Sequence, residues 1–171
     1  LSSVESPGLA EAHMQSYFCA FGRSILHQLL KGEYDYLDGL VWGYTCITMR
    51  NVFEVAQREL GLPFACNVHV PTVIDAPEAA EYYIKELRRL KAALEDFVGR
   101  PISNQDLRDA IEVYDASRRL LRQLFELRRE KPLLSGKESF QVVLSSMFTD
   151  KGHHNQEVTG LLDSLRDRRD P

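Results

Sequence analysis

The sequence predicts an α/β fold: a partial parallel sheet in the first half of the chain, followed by an all-helical bundle. Three observations carry this. Up to about residue 76, short apolar runs alternate with helical patterns, as in βαβ units whose strands are covered on both faces. After residue 76, every periodic segment repeats its apolar residues at three- and four-residue steps, the spacing of one helix face. At the boundary stands Pro77, which a helix accepts in its first turn. The expected organisation is a partial α/β half over 1–76, Rossmann-like in pattern, and a helical segment over 77–171.

Taken in order, Met14-Gln15-Ser16-Tyr17-Phe18-Cys19 reads as a first strand and is followed by a helix from about 22 to 31. A second strand covers 37–44, a helix 46–60 and a third strand 63–70. Gly61-Leu62-Pro63 closes the second helix with a glycine and then a proline just past its last turn. Three strands are few for such a sheet. From Pro77, the residues Ala80, Tyr83, Ile84, Leu87, Leu90, Leu94, Phe97 and Val98 form one stripe on a long helix. Gly99-Arg100-Pro101 ends it. Ser103-Asn104-Gln105-Asp106 predicts an N-cap with an acidic residue at the third helical position. The next helix carries Leu107, Ala110, Ile111, Tyr114, Leu121, Leu124 and Phe125. Pro132 to Gly136 breaks it, and shorter helices are expected over about 137–148 and 153–168.

The bulk properties bound the function. With 171 residues, 44% of them hydrophobic and 27% charged, the protein has enough material for one sizeable core or one unit with an extension. A net charge of -4 argues against a nucleic-acid surface. No apolar run approaches the ~20 residues a membrane span needs. No signal-peptide pattern precedes Pro7. Three cysteines make no disulfide framework, so a reducing cytoplasm with free thiols is expected. The chain starts at Leu1 and ends in Arg166-Asp167-Arg168-Arg169-Asp170-Pro171, and it is read as a piece of a larger polypeptide.

The chemistry rests on cysteines. Cys46 stands where the apolar run Leu40-Val41-Trp42-Gly43-Tyr44 gives way to a helix, at the sheet edge where open α/β folds bind their ligands. A helix N-terminus favours a negatively charged sulfur, so Cys46 suits a metal or cluster. It equally suits a core, where free cysteine behaves as a small hydrophobe. Thr45 beside it is a candidate helix cap. Cys19 ends the first run in the same way, and Gly22 and Arg23 behind it fit an approach to an anionic group. Both thiols are expected to face one cavity. Cys66, inside Phe64-Ala65-Cys66-Asn67-Val68, is read as structural. His69 is read as a polar group at a strand end. His153 and His154 are adjacent, so they diverge on a helix and more naturally mark its start. Gly-rich phosphate loops, HExxH and Gly-x-Ser-x-Gly are all missing from the sequence.

Together these segments resemble a known family. Leu37-Asp38-Gly39-Leu40-Val41, followed by Thr45-Cys46-x-x-Met49-Arg50, is similar to the cluster-binding segment of the 2-hydroxyacyl-CoA dehydratase and benzoyl-CoA reductase family. Cys19-Ala20-Phe21-Gly22-Arg23-Ser24 resembles the region of that family's first cluster cysteine. Val70-Pro71, Tyr83-x-x-Glu86-Leu87, Gly99-Arg100-x-Ile102 and Leu120-Leu121-Arg122 extend the likeness over about residues 14 to 168.

The resemblance implies a cytoplasmic subunit of an iron–sulfur enzyme acting on CoA thioesters. A [4Fe–4S] cluster would be held by three cysteines, with Cys19 and Cys46 matching the first two and the third outside this chain. It also implies a homologous second subunit and an ATP-dependent activator that supplies low-potential electrons. The reaction would be dehydration of a 2-hydroxyacyl-CoA through a ketyl radical, or reduction of benzoyl-CoA. Many dehydratase members carry aspartate after the second cysteine; Ile47 stands there in this sequence, which tilts the resemblance toward the reductase branch. The alternative is a cluster-free scaffold or assembly subunit of the same fold.

Overall fold

Two short strands meet in a parallel pair, joined by a helix that spans the return. The computed structural model describes residues 8–130 and 132–166. By contact the chain divides into two units, Leu1–Pro101 and Ile102–Pro171.

In the first unit, β1 (Gly39–Gly43) pairs with β2 (Phe64–Val68), in register from Gly39 against Phe64 to Gly43 against Val68. The helix α3 (Ile47–Glu59) makes the crossover, as a parallel pair requires. Before β1 lie α1 (Gly8–Glu11) and α2 (Ala20–Leu30). After β2 comes α4 (Ala79–Val98).

Side chains alternate across a strand, and this sorts the layers. Leu40 and Trp42 pack into a core built from Ala10, Met14, Phe18, Leu26, Leu29, Val52 and Ala56. On the other face Phe64 stacks on Phe97 of α4, with ring centroids 4.8 Å apart. Helices therefore lie on both faces of the pair. The cover is incomplete, for Val41 is 50% exposed. This corrects the expectation of strands buried on both faces: α4 packs on β2, and the neighbouring part of β1 is left open.

The expected first strand is a correction too. Residues 14–18 form turns, and β1 and β2 are the strands among the described residues. Buried Ala10, Met14 and Phe18 recur every four positions. That is the spacing of coiled turns, whereas a strand needs alternation. Met14 N–H donates to Ala10 C=O at 2.8 Å, and Phe18 N–H to Gln15 C=O at 3.2 Å.

A polar clip ties β2 to α4. Arg89 donates from Nε and Nη2 to the Glu86 carboxylate at 3.3 and 2.8 Å. Its guanidinium also reaches Cys66 Sγ at 3.5 Å and the Asn67 C=O. Glu86 Oε2 accepts the His69 backbone N–H at 3.1 Å. The Arg89 bonds, then the His69 N–H, hold the Glu86 carboxyl down at about 2. A depressed carboxylate stabilises the fold above its unfolded value and loses that contribution as pH falls through the folded one. Glu86→Gln is thus expected to lower stability at pH 7 by on the order of 1–3 kcal/mol. In urea unfolding, the gap from wild type should close between roughly pH 4.5 and 2. A gap independent of pH would contradict this account.

The second unit holds α5 (Asn104–Glu130), α6 (Gly136–Ser145) and α7 (Lys151–Arg166). Its caps follow the sequence closely. Ser103 Oγ accepts Asp106 N–H at 3.1 Å, while Asp106 Oδ2 accepts Ser103 N–H at 2.7 Å. Ser135 and Glu138 make the same reciprocal capping box ahead of α6. The core joins Leu124, Leu134, Val158, Leu162 and Leu165. His154 is buried near the start of α7, its Nε2 3.1 Å from Val142 C=O.

Candidate functional site

Three residues past β1, Cys46 is the N-cap of α3, in extended backbone (φ -160°, ψ 169°). Its backbone C=O accepts the first helical bond, from Arg50 N–H at 3.0 Å. Its sulfur makes no capping hydrogen bond. Thr45 is therefore not the cap, since the backbone is still extended at Cys46 and the helix begins one residue later than Thr45 would allow.

Cys19 is the N-cap of α2, and its sulfur accepts the Gly22 N–H at 3.4 Å. The expected strand end is replaced by a helix start, which keeps the thiol at a helix N-terminus. Cys19 and Cys46 are both exposed, whereas Cys66 is buried in β2 under Arg89.

The two rim cysteines belong to neighbouring helices. α2 and α3 pack side by side, and Gly22 sets their closest approach. A methyl group at Gly22 would lie 2.4 Å from Thr48 Cγ2, 3.6 Å from Val52 Cγ2 and 3.6 Å from Cys19 Sγ. Gly22 stands three residues after Cys19 and Thr48 two after Cys46, so both capping turns lie at the same, carboxyl edge of the strand pair. A shallow hollow of about 400 Å³ opens at this edge, lined by Tyr44, His69, Val70, Pro71 and Tyr82 among others. Neither cysteine lines it, so the thiols stand outside this cavity.

Several features around the site are invisible to sequence patterns. The sequence marks Gly22 as a turn residue, but its contact with Thr48 emerges only from the fold. Tyr44 and His69 stack with centroids 5.3 Å apart and planes 18° from parallel. The Arg50 guanidinium lies 5.9 Å from the Tyr44 ring centre and bonds to Glu54 Oε1 at 2.7 Å. Bonding to Glu54, then to the Tyr44 side chain, raises the Arg50 pKa. A signal for the aromatic pair does exist: once β1 and β2 are read as parallel, Tyr44 and His69 follow paired strand ends. Among the described residues, no three His, Cys, Asp or Glu side chains gather as a metal-holding group.

This chemistry can be set beside known proteins. The family described as 2-hydroxyglutaryl-CoA dehydratase, D-component, matches residues 2–171. The chain belongs to that family. Within the D-component family it is similar to a benzoyl-CoA reductase subunit of Thauera aromatica, 26% identical over 89% of this chain and 40% of the relative. It is similar to the beta subunit of (R)-2-hydroxyglutaryl-CoA dehydratase of Acidaminococcus fermentans, 27% identical over 89% of this chain and 41% of the relative. The beta subunit of (R)-phenyllactyl-CoA dehydratase of Clostridium sporogenes is 24% identical over 92% of this chain and 42% of the relative. The chain thus spans about two fifths of the length of these D-component relatives. No helix among the described residues is long and apolar enough to cross a membrane.

Whether the residues suit an iron–sulfur group is a question of donors and space. Thiolates are the ligands such clusters require, and Cys19 and Cys46 are exposed thiols on two touching helix starts. Hydrogen bonds to sulfur tune a cluster, and the Gly22 N–H already points at Cys19 Sγ. The missing Cβ at Gly22 keeps the approach open. On donor chemistry and on space, the two cysteines fit the group as part of a larger ligand set.

Proposed function

We propose that this chain supplies two cysteine ligands, Cys19 and Cys46, to a [4Fe–4S] cluster in a cytoplasmic enzyme subunit acting on CoA thioesters by low-potential one-electron chemistry. The reaction is benzoyl-CoA reduction or 2-hydroxyacyl-CoA dehydration, as named for the relatives. The observation that carries this reading is the meeting of two exposed N-cap cysteines at the Gly22–Thr48 contact.

When bound, the cluster supplies single-electron transfer and a Lewis-acidic iron. The protein's part is placement. Cys19 offers a sulfur already oriented by the Gly22 N–H. Cys46 offers one on the free edge of α3, with the helix N-terminus favouring negative charge. A third cysteine comes from outside this chain. A homologous second subunit and an ATP-dependent electron donor complete the reading, which family membership supports.

Purification without oxygen should yield iron and acid-labile sulfide, with a broad absorbance near roughly 400 nm, where thiolate-to-iron charge transfer falls. Cys46→Ser and Cys19→Ser should each lose most of it. Wild-type protein free of iron and sulfide would overturn the proposal and favour a cluster-free assembly subunit.

A further inference from the structure

The turn that presents Cys46 is held by side chains with no other evident task. β1 and β2 end together at Gly43 and Val68, so Tyr44 and His69 leave the sheet as neighbours. Their rings stack at 5.3 Å. Tyr44 N–H donates to Val68 C=O at 2.9 Å, fastening that residue to the end of β2. From one turn inside α3, Arg50 brings its guanidinium to the same tyrosine ring, 5.9 Å from its centre. Arg50 N–H also bonds to Cys46 C=O at 3.0 Å.

Cys46 therefore sits between two points that clasp one aromatic ring, Tyr44 before it and Arg50 after it. Its own sulfur makes no capping bond, and Thr45, Cys46 and Ile47 are all exposed. Local packing supplies little to fix this turn. A cation on an aromatic face, and one ring lying on another, are directional contacts. They constrain the backbone on both sides of the thiol.

We propose that Tyr44, held by His69 and Arg50, is the positioning residue for the Cys46 thiol. Its bearing on cluster retention rests on the function proposed above; its hold on the turn does not. Aromaticity is the property required, so phenylalanine should replace tyrosine and leucine should not.

Two measurements on the purified protein test this. In the iron-free state, amide hydrogen exchange over residues 44–50 should speed up about tenfold in Tyr44→Leu and stay close to wild type in Tyr44→Phe, as expected when a local opening becomes easier. In protein loaded with iron and sulfide without oxygen, an iron chelator should strip Tyr44→Leu about tenfold faster than wild type, while Tyr44→Phe resists it equally, since ligand placement governs retention. His69→Ala, which keeps its backbone bond to Glu86, provides a second variant should Tyr44→Leu fail to fold, with the same direction expected.

Equal exchange in wild type, Tyr44→Leu and His69→Ala overturns the proposal. So does a Tyr44→Phe protein that behaves like the leucine variant. If wild type takes up no iron, the cluster reading fails separately, and the exchange measurement still decides the role of Tyr44.

Discussion

Gly22→Ala is expected to cost about 1–2 kcal/mol of stability, even though alanine is the better helix former. Gly22 lies inside α2 and is not among the glycines with positive φ, so backbone freedom does not explain it. Alanine would gain up to about 1 kcal/mol in helix propensity. Against this, its methyl would fall 2.4 Å from Thr48 Cγ2, well inside contact distance. Overpacking of this kind costs about 1–3 kcal/mol. Thr48 is buried on a neighbouring helix and has little room to retreat, so the clash wins.

Thr48→Ser removes the offending methyl and should restore most of the loss in the double variant. A coupling of about 1 kcal/mol or more between the two positions is expected from a double-mutant cycle. Urea unfolding of the four proteins measures it. Additive effects would show that the close approach of α2 and α3 carries no constraint. Under the proposed function, Gly22→Ala should also bind less iron, because forcing α2 from α3 separates Cys19 from Cys46.

Leu124→Ala should destabilise the second unit by about 2–5 kcal/mol, the usual range for a leucine deleted from a filled core. That is a large share of the roughly 5–15 kcal/mol a typical domain possesses. Leu124 is 1% exposed and packs in the cluster with Val158, Leu162 and Leu165. α5 is 27 residues long, yet Ser117 and Leu124 are its buried residues. The whole helix is thus anchored through its C-terminal half. Leu107→Ala, at a position 43% exposed, should change stability by no more than about 1 kcal/mol. Equal losses at the two positions would contradict this picture of the anchorage.

The helices were legible in the sequence because their ends are chemically marked. Ser103 with Asp106 and Ser135 with Glu138 form the capping pairs their spacing suggests. Gly99 ends α4 in the left-handed conformation, with φ 72°. β1 and β2 were legible as apolar runs between turn residues. The run at 14–19 misled because Met14 and Phe18 are buried through a four-residue spacing that a short window cannot tell from a strand.

Burial was less legible than periodicity. The stripe of α4 is regular, but Tyr83, Ile84, Leu87, Phe97 and Val98 are 37–58% exposed. Periodicity reports a helix face; it does not report what lies against it. In the candidate site, the thiols' exposure and helix-cap positions were within reach of sequence patterns. The Gly22–Thr48 approach and the ring of Tyr44 between its neighbours depend on distant segments meeting in space, and no local pattern encodes that.

The three thiols differ sharply in accessibility, and this has a consequence for how the molecule ages. Oxidants attack sulfur they can reach. Cys19 and Cys46 are open to solvent, whereas Cys66 is 4% exposed beneath a guanidinium. Air would therefore wound the surface first and spare the interior: a sample can lose its chemistry while its folded shape survives.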